Sequence, residues 1–442
     1  MPEPSRYLGP IRLAPGVLRR HACAYLFAAF VSIGLFTYLA TLTPYLLEVN
    51  LRVPTGEQGV VTGNLQFWQE ILMLGLIGFW GAMSDRLGRR PVYVAGFFVL
   101  AVAYLLYPTA GSVPELTAYR LVFGIALAAL TAMLSAVAAD YAHEDSRGKL
   151  TGFSFLLNGI GAVLSFVFLS RLPAVFAAQG ADPATAGQYA YWTVAGVALL
   201  AAVVMLGLRP GRPEQVRERP SVALLLRDGV RAAGNPRIGL SYLGAFAARA
   251  DMAAISLFLT LWIVQSGTSQ GLSPEDAAAR SGMVIGLALG ASMLCSPLLG
   301  IVADRVNRLT LFCGGFLVAA IGYGWVGSLD DILAPAAIPA LLCMGIGQSC
   351  TVLTSSVLLA QESPPGIRGA VFGLQNFCGA VGILALSAGG GWLYDTIGPQ
   401  APIIAIAIAN GVVGAAAILL RSRELRAGAG TRLRDGVAVR AD

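Results

Sequence analysis

The stretch Gly81-Ala-Met-Ser-Asp85-Arg86-Leu-Gly88-Arg89-Arg90 joins two long apolar runs, near residues 57–83 and 91–109. A weaker copy, Gly300-Ile-Val-Ala-Asp304-Arg305-Val-Asn307-Arg308, stands 219 residues further on, Gly81 against Gly300, again between two apolar runs. A second pair of stretches repeats at almost the same offset. Glu144-Asp-Ser-Arg147-Gly148-Lys-Leu-Thr-Gly152 is matched 221 residues later by Arg368-Gly369-Ala-Val-Phe-Gly373, with Glu362 before it. Two motifs recurring at nearly one offset argue for duplication of a unit with six membrane crossings, an arrangement common in transporters.

The composition around these motifs requires lipid as solvent. Of the 442 residues 56% are hydrophobic and 12% charged, whereas soluble domains carry about 25% charged residues, and the mean hydropathy is +0.70. Such a chain cannot cover itself with a polar surface. Twelve apolar windows are long enough to span. They lie near 22–48, 57–83, 91–109, 116–140, 150–171, 189–208, 237–266, 279–302, 309–327, 333–360, 367–392 and 400–420.

Charge orients them. Of the 30 basic residues, 25 lie on the even-numbered connections and the two ends, and three, Arg52, Arg171 and Arg280, lie on the odd-numbered connections. The positive-inside rule then places both termini in the cytoplasm and requires an even number of spans. The net charge of +6 is accounted for by these loops rather than by a nucleic-acid-binding face. The expected organisation is a cytoplasmic segment 1–21, a six-helix half 22–208, a linker 209–235, a second half 236–420 and a cytoplasmic tail 421–442. The N-terminus shows no convincing cleavage site of a signal peptide. Within the linker, Val222–Val230 forms either a short amphipathic helix on the membrane surface or a solvated basic segment.

The motifs resemble those of the major facilitator superfamily. The G-x-x-x-D-R-x-G-R-R loop at 81–90 is similar to that family's most diagnostic signature, and its weaker copy sits where the family places it. Arg120-Leu-Val-Phe-Gly124 resembles an arginine-bearing motif of many proton-linked members. The resemblance covers about residues 20–420. It implies an all-α membrane protein with twelve transmembrane helices in two pseudo-symmetric six-helix bundles, moving solutes by alternating access through a central cavity. It also implies a conformational latch on the cytoplasmic side, built from Gly81, Asp85, Arg86, Gly88, Arg89 and Asp140 and, in the second half, Asp304, Arg305 and Arg308. The plainer alternative is that these arginines are topogenic anchors.

Polar groups at membrane depth carry the functional expectations, because a charge at the bilayer centre costs about 2.5–3.5 kcal/mol even on the milder scales. Glu70 lies near the middle of the second span. Thr62, Gln66 and Glu70 share one helical face at i, i+4 and i+8, and a carboxyl there can load and release a proton. Arg249 and Asp251 lie mid-span in the seventh segment, two residues or about 200° apart, so each needs its own partner. Arg120 lies about one turn inside the fourth span, where it binds an anionic group, biases Glu70 or Asp251, or snorkels to the interface. Glu70, Asp251 and Arg120 are the proton-coupling candidates. Thr37, Thr41, Tyr45, Gln66, Asn158, Arg249, Gln348, Thr351, Gln375 and Asn376 are the candidates for lining the substrate cavity, with ordinary interhelical hydrogen bonds as the alternative for each.

Several classes are disfavoured. No Walker-type phosphate loop is present, so ATP is not the expected energy source. No Ser/His/Asp or Cys/His arrangement points to an enzyme. Neither the two histidines nor the six cysteines have metal-ligand spacing, and the cysteines read as packing residues. The drug-antiporter proline is absent from Asn158-Gly-Ile-Gly-Ala-Val-Leu-Ser, and the sugar-porter pattern is incomplete. The expectation is a monomeric, cofactor-free secondary transporter of a small organic solute in a bacterial inner membrane, coupled to protons. An uncoupled facilitator and a non-transporting receptor or scaffold stay open.

Overall fold

A backbone segment in lipid must satisfy its own hydrogen bonds, and the computed structural model, which describes residues 7–211 and 222–438, does so with helices. Twelve long ones, here α1 to α12, follow in order. They are Arg19–Val49, Gln58–Leu87, Arg89–Leu106, Val113–Tyr141, Arg147–Phe168, Pro183–Met205, Pro236–Ala253, Pro274–Arg305, Arg308–Gly327, Ile338–Glu362, Arg368–Thr396 and Ala401–Ala438. α7 continues through a π-helical turn, Ala254–Leu259, into the helix Thr260–Ser269. Among the described residues, eleven of these segments are long and apolar enough to cross a membrane. The remaining one is α2, whose Thr62, Asn64, Gln66, Gln69 and Glu70 dilute its apolar character. At 30 residues it is roughly 45 Å long, well beyond the ~30 Å of hydrocarbon.

Local chemistry sets the helix ends. Ser112, Asp182, Asn235 and Asn307 cap α4, α6, α7 and α9 with side-chain oxygens. At Asp182, hydrogen bonds from the Thr185 hydroxyl and backbone N–H hold the carboxyl below the usual carboxylate range. Gly88 separates α2 from α3 at φ +100°, a conformation that favours glycine, and a Cβ there would lie 2.5 Å from the Gly211 carbonyl.

The helices fall into two compact units. The first holds Met1–Glu218, Ile255–Leu289 and Leu386–Pro399; the second holds Arg219–Ala254, Gly290–Ala385 and Gln400–Asp442. In the first unit α3 packs on α4 and α6, and α1 on α4 and α6. In the second, α9 packs on α10 and α12, and α7 on α10 and α12. Each pair in the second unit repeats one six helices earlier, which is the internal duplication expressed as packing. The core of the first unit is aromatic: Tyr38, Tyr104, Tyr107 and Tyr191 are fully buried and touch ring to ring.

Two features go beyond the sequence reading, and one of its open alternatives is decided. Residues 7–12 form a small antiparallel hairpin, Tyr7–Leu8 against Ile11–Arg12. It continues as a strap on the α4–α5 connection, where the Ala14 N–H donates to the Tyr141 carbonyl and the His143 N–H to the Arg12 carbonyl. The Val222–Val230 stretch is helical, within Val222–Ala232. α12 runs on past residue 420 to Ala438.

Candidate functional site

The α2–α3 loop brings an arginine between two carboxylates. The Arg89 Nη1 donates to Asp85 Oδ1 at 2.6 Å and its Nε to Asp140 Oδ2 at 2.8 Å. Ser84 Oγ, itself bonded to the Gly81 carbonyl, also accepts from Arg89. Three helices, α2, α3 and α4, therefore meet at one guanidinium, whose planar fork suits two acceptors at once. Arg86 is exposed. In the second copy the Asp304 side chain lies outside the described residues. Arg305 is exposed and Arg308 half-buried, and neither has an ion pair among the described residues. Asn307 takes the place of Gly88 and caps α9 instead.

α7 carries two charges with opposite surroundings. Asp251 is fully buried. Its Oδ2 accepts from the Thr351 hydroxyl on α10 at 2.9 Å, and its Oδ1 from the Asn410 amide on α12 at 2.7 Å. The Asn410 carbonyl oxygen is buried without a partner among the described residues. Arg249 points elsewhere. It is exposed, its stem lies against Gly379 of α11, and it has no hydrogen bond or ion pair among the described residues. The π-helical turn begins three residues after Asp251, and such turns cluster at functional sites.

In the first unit Arg120 is only 3% exposed. Its Nη2 donates to Gln66 Oε1 at 3.0 Å, and its guanidinium lies 5.5 Å from the Phe123 ring centroid. Nε and Nη1 are buried without a hydrogen-bond partner among the described residues. Glu70 is also buried, one helical turn beyond Gln66 on the same face. The Thr37 and Thr41 hydroxyls donate back to Ile33 and Thr37 carbonyls of their own helix. Tyr45 donates to the Pro183 carbonyl at 2.5 Å and to Glu275 at 3.3 Å. Gln375 donates to Ser241 at 3.3 Å. Gln348 and Asn158 each keep a buried carbonyl oxygen without a partner among the described residues, and Asn376 is exposed.

Two clusters escaped the sequence reading. In the first unit, Asp395 of α11 accepts from the Gly59 and Val60 N–H groups at 2.9 and 2.7 Å, so a carboxylate sits at the positive end of α2. One turn deeper Gly63 lies directly on the Ser387 carbonyl, with no room for a Cβ. Beside them Tyr394 donates to Gln265 at 2.7 Å, and Gln265 donates to Gln58 at 3.0 Å. In the second unit, Arg237 bonds Glu362 at 2.8 Å and Glu424 at 2.9 and 3.0 Å. Positive-inside counting hides a structural role of this kind, because it scores Arg237 only as a loop charge.

Comparison with known proteins places this geometry. The chain is 28% identical over 421 residues to the magnetosome protein MamH of Paramagnetospirillum magneticum, covering 93% of this chain and 95% of that one. It is 28% identical over 378 residues to the magnetosome protein MamZ of the same organism, covering 82% of this chain but only 57% of MamZ. In fold it matches a crystal structure of a bacterial homolog to the human lysosomal transporter Spinster, with TM-score 0.71 and 15% identity over 91% of this chain and 97% of that one. The model of the Major Facilitator Superfamily, a family of transporters, matches residues 24–387, and the chain belongs to that family.

Proposed function

We propose that this protein is a proton-coupled secondary transporter that moves a small organic anion across the plasma membrane by alternating access. The observation that supports the reading most is Arg249. A guanidinium stays charged at any working pH. Midway along an apolar span, exposed and without an ion pair among the described residues, it is tolerable if it faces water, where it can meet an anion. A carboxylate fits its planar fork. Asp251, two residues on, supplies a second kind of site: a carboxyl out of water, held by one hydroxyl and one amide. Protonation of Asp251 would remove the charge that strengthens both bonds and so loosen the hold of α10 and α12 on α7. Glu70 and Arg120 are the buried charges of the first half, and Gln66, on the helix of Glu70, bonds Arg120.

On this reading Asp85, Arg89 and Asp140 form a latch that strengthens when the arginine-rich side closes. The arginine-rich loops and both termini face the cytoplasm, the halves 22–208 and 236–420 move about the linker, and the chain works as a monomer. The test is a thermal-shift screen of purified protein against organic acids and their neutral amides. A transported acid should raise the Tm through preferential binding to the folded protein, and Arg249→Gln should abolish that rise. Stabilisation by the neutral amides alone would overturn the anion assignment.

A second reading of location comes from the likeness to MamH along almost the whole chain. On that reading this transporter works at magnetosomes rather than throughout the plasma membrane. A fluorescent fusion in the source cell distinguishes the two by a localised or a uniform peripheral signal.

A further inference from the structure

A groove of about 760 Å3 runs between α3 and α6. Its α3 wall is Arg90, Pro91, Val94 and Phe98, and its α6 wall includes Leu199 and Val203. The residues 90, 94 and 98 are one turn apart, so the groove descends roughly 12 Å from the start of α3. Phe98, Val203 and Leu206 are about half exposed, which in a membrane span means exposed to lipid. The walls are apolar apart from Arg90 at the mouth. Unlike its neighbour Arg89, Arg90 has no ion pair or hydrogen bond among the described residues. The mouth is also the N-terminus of α3, whose N-cap Gly88 has no side chain to cap it, so the first-turn N–H groups and the helix dipole favour an anion at the same place.

We infer that this groove binds an anionic phospholipid, its phosphate on Arg90 and the start of α3 and an acyl chain along the α3–α6 walls. Charge selects the occupant. A zwitterionic lipid offers the same chain but no net negative charge, and a free phosphate offers the charge but nothing for the groove. Basic pockets between transmembrane helices on the arginine-rich side are suited to such headgroups. The inference stands apart from the transport reading, because lipid binding is measured without any solute.

The full chain, purified and equilibrated with equal amounts of phosphatidylglycerol and phosphatidylcholine, is examined by native mass spectrometry for retained lipid. Phosphatidylglycerol should be retained about fivefold over phosphatidylcholine, the worth of one arginine near an anionic surface. Arg90→Ala should erase the preference, Arg90→Lys keep most of it, and Arg86→Ala, outside the groove, leave it intact. Val203→Trp, which fills the groove from the lipid side, should lower retention without altering Arg90. Glycerol phosphate at equal concentration should not compete. Equal retention of the two lipids by the unmodified protein, an undiminished preference in Arg90→Ala, or full competition by glycerol phosphate would each overturn the site. If Arg90→Ala does not fold, the unmodified protein and Val203→Trp decide.

Discussion

Asp395, near the end of α11, holds Val60 in the first turn of α2 by a 2.7 Å hydrogen bond from the Val60 N–H to Oδ2, while its other oxygen takes the Gly59 N–H. The carboxylate acts as an N-cap supplied by a distant helix. Replacing an N-cap acceptor costs typically ~1 kcal/mol. Asp395→Ala should therefore lower the unfolding stability by about that amount, and Asp395→Asn, which keeps one acceptor, by less. Thermal denaturation of the two variants in one detergent checks the order; equal stability of both with the unmodified chain would remove the cap.

Gly63 offers a sharper probe of the same contact. Any side chain there meets the Ser387 backbone carbonyl, and backbone cannot swing aside as a flexible side chain can. Gly63→Val should separate α2 from α11. Thermal denaturation in one detergent should place Gly63→Val below Asp395→Ala in Tm. A Tm equal to that of the unmodified chain would show that the helices meet some other way.

The Arg89 network calls for a double-mutant cycle. The Arg89 and Asp140 side chains are 14% and 36% exposed, so screening limits the pair, and a coupling of about 0.5–1 kcal/mol is expected. Arg89→Lys should lose most of it, because a point charge cannot bridge Asp85 and Asp140 as a planar fork does. A coupling indistinguishable from zero would return these arginines to the role of topogenic anchors.

Much of this was legible in the sequence because the bilayer forces it. Apart from α12, which runs on to Ala438, the apolar windows became helices with ends shifted by a few residues, and the offset of 219 between Gly81 and Gly300 reappears as helix pairs repeated six elements apart. The i, i+2 spacing of Arg249 and Asp251 excluded a mutual ion pair, and the two do point to different neighbours. What stayed hidden depends on contacts between residues far apart in the chain. Asp395 and Val60 are 335 positions apart, and no periodicity links them. Hydroxyl stripes also left partners open: Thr37 and Thr41 lie on one face, and both donate to carbonyls of their own helix. The strap at residues 7–14 carries no pattern long enough to announce a strand.

Arg249 separates binding from coupling. Arg249→Lys keeps the charge but loses the fork, and should raise the KM for an anionic solute about tenfold with little change in maximal rate. Arg249→Gln should abolish uptake of the anion while leaving the fold intact by thermal denaturation. Unchanged KM in Arg249→Gln would place the anion elsewhere, with the buried and partly unpartnered Arg120 as the next position to alter.

The most direct test of coupled transport is solute flux into proteoliposomes with and without an imposed pH gradient, for the unmodified protein and for Asp251→Asn. The gradient should drive the unmodified protein to accumulate solute above its external concentration. Asp251→Asn, fixed in a neutral form that still bonds Thr351 and Asn410, should exchange solute across the membrane yet fail to accumulate it. Identical flux with and without the gradient would make the protein an uncoupled facilitator, and gradient-driven accumulation by Asp251→Asn would contradict the role given to that carboxyl.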